Sequence, residues 1–231
     1  MRKLILTSFV TTGVLVGLFA AASAWSAGGG PAPGGSVNMP ERQRTPQEIA
    51  RDSYNSGIKY LKDAKEYDDD AHKATDPKKV AKATEKATKA YQKALKEFVN
   101  AVAKVPTMYE AWNYVGFTER HLGDYKTSLD AYAKALELKP NYPEAIEYRG
   151  EAFLGLNALD DAKQAYLSLY RISRPLSQQL LDAMKTWVEK RKQDAQGVDS
   201  TTLDGFASWI NERAAMAAQS ASNIETPPAR W

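Results

Sequence analysis

The chain has no cysteine and only two histidines among its 231 residues. Without thiols there is no disulfide framework, no thiolate nucleophile and no cysteine-ligated zinc, so stability has to come from packing. His72 and His121 fall in no zinc or nucleophile motif, and neither a Gly-rich phosphate loop nor a nucleophile elbow is found. Period-two segments of the kind that make strands are missing too, which removes the sheet folds. Paired glycosidase carboxylates have no fixed spacing and so escape a motif search. No residue stands out as catalytic, and nothing calls for a metal or cofactor.

What is present begins with Met1-Arg2-Lys3, an apolar run from Leu4 to Ala22 and the small-residue triplet Ala22-Ser23-Ala24. Basic start, apolar centre and small cleavage residues are the parts of an export signal. We expect residues 1–24 to be a signal peptide and the mature protein to be periplasmic or secreted. The run is almost long enough to span a bilayer, so retention as an anchor is the alternative. Cleavage removes Arg2 and Lys3, taking 31 basic residues to 29 against 28 acidic ones. That balance excludes a global electrostatic case for nucleic acid. Residues 25–44 are Gly-, Pro- and Ser-rich and read as a flexible leader.

Thr45-Pro46-Gln47-Glu48 is a capping-box pattern that starts a helix, expected to end near Tyr67 before Asp68-Asp69-Asp70. Asp76-Pro77 starts the next, to Lys104, with Ala87, Tyr91, Ala94, Phe98 and Val102 on one apolar face. Shorter helices are expected at about 109–122, 124–138, 142–156, 160–172, 176–195 and 202–218. Gly123, Asn157 and Gly197 stand at the breaks, and residues 219–231 read as a loose tail. The fold class is therefore all-α, with one helical domain over residues 45–218.

Residues of like kind recur at a spacing of 34: Gly116 with Gly150, Ser128 with Ala162, Tyr132 with Tyr166. Ala94, Phe98, Ala101 and Pro106 precede Ser128, Tyr132, Ala135 and Pro140 by the same interval. Together with Trp112 and Val115, these positions resemble the tetratricopeptide repeat, most specifically from about Ala94 to Pro175. Gly57 and Tyr60 fit the first helix of a repeat only if 25 residues are inserted before its second, a hairpin lengthened by about 18 Å. The resemblance implies a solenoid of helical hairpins with about three repeats, the first carrying the long hairpin, and a final helix pair as a cap.

It also implies a protein or peptide partner held in a groove lined by the first helix of each repeat. The groove positions are Tyr54, Ile58 and Leu61, then Asn113, Phe117 and Arg120, then Glu147, Glu151 and Leu154. Function is then a scaffold or adaptor in the cell envelope. A non-catalytic subunit of an envelope enzyme is a variant of the same idea. Glu119 and Arg149 occupy positions where the family has apolar residues, and an ion pair between them would explain both.

Two further features stand outside the repeat. Lys79, Lys82, Lys86, Lys89, Lys93 and Lys96 form a basic stripe on the second helix, opposite its apolar face and without aromatics interleaved in the stripe for base stacking. It is either a solubilising face or a contact for an anionic surface, which makes an envelope-surface binder the rival reading. Membrane contact is thus possible but not required, and the sequence is silent on oligomeric state. Asp68–Asp70 with His72 matches no cation-binding loop and reads as a solvated tip, while His121 is expected to cap the last carbonyls of its helix.

Overall fold

A computed structural model describes residues 42–225, with side chains through residue 219. The signal segment, nearly all of the leader and the end of the tail lie outside the described residues. Eight helices follow one another: α1 Pro46–Lys73, α2 Pro77–Lys104, α3 Tyr109–His121, α4 Tyr125–Leu138, α5 Pro143–Gly155, α6 Leu159–Ile172, α7 Arg174–Gln193 and α8 Ser200–Glu225. No strand occurs among the described residues.

Local chemistry explains most of the boundaries. The Thr45 hydroxyl accepts from the Glu48 amide at 3.2 Å, and the Thr45 amide donates to the Glu48 carboxylate at 2.8 Å, so the capping box is closed. Asp124 caps α4 through the Thr127 amide at 3.0 Å. Gly123 (φ +88°) and Asn157 (φ +57°) provide the left-handed residues that let paired helices turn back. Two ends differ from expectation. Helix α1 continues six residues beyond Tyr67, because Asp68 is held by the Tyr91 hydroxyl of α2 at 2.6 Å instead of being released to solvent. Helix α8 continues seven residues beyond Ala218.

Successive helices pack as antiparallel pairs, α1 with α2, α3 with α4, α5 with α6 and α7 with α8. Each second helix also touches the first helix of the following pair, and α3 meets α5 as α5 meets α7. This is the neighbour pattern of stacked repeats. The recurring positions are where the stacking occurs: Ala94, Ser128 and Ala162 are fully buried, and so are the aromatics Phe98, Tyr132 and Tyr166 to within 2%. Burying each ring contributes roughly 2–3 kcal/mol. Small residues make room for them. A Cβ on Gly116 would stand 2.6 Å from the Tyr132 ring, and one on Gly57 2.7 Å from the Phe98 ring. In the third copy Gly150 faces Leu180 of α7 instead of Tyr166, so the final pair docks by its own contacts.

Candidate functional site

The first helices of the first three pairs, α1, α3 and α5, carry the residues expected to line a groove, and the structure divides those residues sharply. Leu61, Asn113, Phe117, Glu147 and Leu154 are buried, at most 4% exposed. Tyr54, Ile58, Arg120 and Glu151 are half-buried. The middle of the groove is filled by the protein's own side chains. Tyr54 packs edge-on against Phe98 and Tyr114, both at 5.8 Å between ring centres. Burial, helped by Tyr114 and Glu110, pushes its hydroxyl up to about 12. Phe117 is covered by the Tyr148 ring at 4.9 Å, by Arg120 and by the Lys65 ammonium, which lies 5.2 Å above its ring.

Arg120 is the hub of this region. Its guanidinium pairs with Glu151 across the α3–α5 contact and lies 5.8 Å from the Tyr148 ring. Beside it Glu147 is buried, and desolvation followed by the neighbouring Glu151 charge pushes its carboxyl up to about 8, against the pull of Arg120. The Asn113 side-chain carbonyl is buried without a hydrogen-bond donor. The expected pair of Glu119 with Arg149 is not formed. Glu119 lies near Asp124, whose charge adds to burial in raising its carboxyl, and Arg149 lies 5.9 Å from the Phe153 ring. Each residue along an α-helix turns the side chain by about 100°, and the one step from Glu119 to Arg120 and the two from Arg149 to Glu151 put Arg120 and Glu151 on the facing sides.

His121 does not cap its helix. Its ring is stacked between Tyr91 at 4.6 Å and Phe117 at 4.4 Å. Desolvation by these rings, although part of the residue stays exposed, and the charges of Arg120 and Lys65 push its imidazole down to about 3, so it is neutral at neutral pH.

The groove stays open at one end. A cleft of about 550 Å³ lies between α3, α5 and α7, bounded by Arg120, Glu151 and Leu154 on one side and by Ala183, Trp187 and Lys190 on the other. Arg191 stands on its rim, 5.0 Å over the Trp187 ring and 3.3 Å from the Asn157 side-chain oxygen. Glu151 is the single carboxylate of the lining and is already held by Arg120, whereas Lys190 has no carboxylate partner among the described residues. The cleft therefore has a largely polar lining with a net positive rim, over a small apolar floor. Sequence reasoning missed the α7 half of it. Trp187 is visible there only as part of a buried stripe, and the repeat frame fades before α7.

The lysine stripe is exposed throughout. Helix α1 brings aromatics to the stripe, since Lys86 lies 5.1 Å over Tyr67 and Lys93 5.7 Å over Tyr60.

The family model for the tetratricopeptide repeat matches residues 109–142, which are α3, α4 and the turn after them. The chain contains a tetratricopeptide repeat at these residues. The matched segment holds the Gly116–Tyr132 contact, and the preceding hairpin repeats it in the Gly57–Phe98 contact, so that packing is continued by geometry outside the segment that matches by sequence. A solved structure described as the crystal structure of MamA protein is 19% identical, over 66% of this chain and 97% of that one, with a TM-score of 0.35. No curated protein matches this repeat protein. Chains built from this repeat are, in general, protein–protein interaction scaffolds.

Proposed function

We propose that this protein is a cell-envelope scaffold that holds an acidic, partly apolar segment of a partner protein in the cleft between α3, α5 and α7. The observation that carries the reading is the cleft's composition. Lys190 and Arg191 stand over it without a carboxylate of their own, and Leu154, Ala183 and Trp187 give it a small apolar floor. Unneutralised cations above such a floor favour a segment in which Asp or Glu flanks an apolar side chain. The expected export signal is the ground for placing this activity in the envelope.

A peptide array graded in charge and apolar content, probed with the full chain, tests the reading. Acidic peptides carrying an apolar residue are expected to bind, and Lys190→Glu with Thr186→Glu, both at exposed positions, is expected to abolish that binding while leaving the helical circular dichroism unchanged. Equal capture of acidic, neutral and basic peptides, or capture indifferent to the two substitutions, refutes it.

A further inference from the structure

The hairpin α1–α2 carries a second feature that the cleft does not explain. Helix α2 holds eight lysines and two glutamates, and six of the lysines lie in the stripe from Lys79 to Lys96. At 1.5 Å and 100° per residue these six fall within an arc of about 100° and along about 25 Å of helix. Near the tip of the hairpin they close over a cleft of about 400 Å³ in which Lys73, Lys79, Lys82 and Lys86 surround Tyr67.

Neighbouring carboxylates neutralise this edge only in part: Glu85 is bonded to Lys89, whereas Asp68 is turned inward to accept from Tyr91. Asp70 is the one carboxylate on the cleft, against four ammonium groups. Two tyrosines from α1 sit under the lysines, with Lys86 over Tyr67 and Lys93 over Tyr60, so an aromatic row runs parallel to the charges. Rings with an apolar body and a polar tip settle at the headgroup level of a bilayer, where lysine ammonium groups meet phosphates.

We propose that the lysine edge of α1–α2 docks on an anionic phospholipid bilayer, with one headgroup phosphate entering the cleft at Lys73, Lys79, Lys82 and Lys86. A free phosphate would engage the cleft alone. The charges continue past it to Lys89, Lys93 and Lys96, and a linear array of this length is matched by a plane of headgroups. The scaffold reading does not depend on this contact, which lies on other helices, so either one stands if the other fails.

The test is co-sedimentation of the full chain with vesicles of phosphatidylcholine alone and of phosphatidylcholine mixed with phosphatidylglycerol, the readout being the ratio of the two partition coefficients. A ratio well above one, falling steeply with added salt, is expected. Lys79→Gln, Lys82→Gln and Lys86→Gln together should lower binding to the mixed vesicles roughly a hundredfold, and adding Lys93→Gln and Lys96→Gln should lower it further. All five side chains are exposed, so the fold is retained, as circular dichroism will show. A ratio near one, as an apolar N-terminal run inserting into either membrane would give, overturns the proposal. So does a ratio that the triple substitution leaves unchanged. If the two outer substitutions have no effect while inorganic phosphate binds saturably, the site is one for soluble phosphate and not for a bilayer. Lysine-dependent binding of a DNA duplex without vesicle binding overturns it in favour of nucleic acid.

Discussion

Gly57 of α1 and Phe98 of α2 meet as Gly116 and Tyr132 meet one repeat later, although 41 positions separate the first pair and 16 the second. The difference of 25 is the inserted hairpin, and the contact survives it because both helices were lengthened on the same side of the packing point. The Phe98 and Tyr132 rings are fully buried and cannot swing away.

Alanine at Gly57 or Gly116 is therefore expected to destabilise the protein. The gain in helix propensity is about 1 kcal/mol, and overpacking against a locked ring costs about 1–3 kcal/mol, so the net loss is small but real. Urea denaturation monitored by circular dichroism should show a lower midpoint for each. Gly205, with nothing near its missing Cβ, is the control, and Gly205→Ala should be neutral or stabilising. Equal midpoints for all three variants would contradict the contact.

Glu147 offers a pH test. Its folded carboxyl titrates at about 8, above the usual carboxylate value of 4.5, so the folded state holds a proton that the unfolded state has lost between these limits. Stability from this group is full below pH 4.5 and declines as pH rises through 8. Glu147→Gln keeps a neutral side chain at all pH, and its thermal stability should exceed that of the natural protein increasingly across this window. By pH 9 the difference should be on the order of 2 kcal/mol, less than the whole shift because Arg120 and Glu151 readjust.

His121 acts with the opposite sign. Its folded pKa of about 3 lies below the ordinary 6.5, so the unfolded state binds the extra proton, and stability is lost as pH falls from 6.5 toward 3. His121→Phe preserves the stack with Tyr91 and Phe117 and removes the proton. Melting curves across this range should show a shallower acid loss for the variant. An imidazole resonance of His121 titrating near 6.5 by NMR would rule the account out.

The Arg120–Glu151 pair is expected to couple the α3 and α5 hairpins. Arg120→Met leaves Glu151 beside Glu147 without its cation and should cost about 3 kcal/mol. Glu151→Gln should cost less, because Arg120 keeps the faces of Phe117 and Tyr148. The double variant should lose less than the sum, and a double-mutant cycle on unfolding free energies reads the difference.

Much of the fold was legible in the sequence because its determinants are local or periodic. Thr45 and Glu48 close a capping box within four residues, Gly123 and Asn157 mark turns by backbone conformation, and a spacing of 34 places Phe98, Tyr132 and Tyr166 at equivalent packing points. The candidate site was legible only in outline. The repeat frame names Asn113, Phe117 and Glu147 as groove positions, but whether such positions meet solvent depends on what neighbouring hairpins lay over them, and here Lys65, His121 and Tyr148 do so.

The absence of thiols and of catalytic motifs, the helical class and the repeat interval were determined by the sequence itself, since each is a property of residue type and of spacing along one helix. Tertiary structure alone decided which charges pair and which aromatics join the lysines. A rotation of about 100° per residue selects Arg120 over the adjacent Glu119 and Glu151 over Arg149 two positions before it. The register of two long helices brings Tyr60 and Tyr67 beneath Lys93 and Lys86, from some 20 to 30 positions away in the chain. Distances of that kind are set by how helices stack, and no spacing within a single helix encodes them.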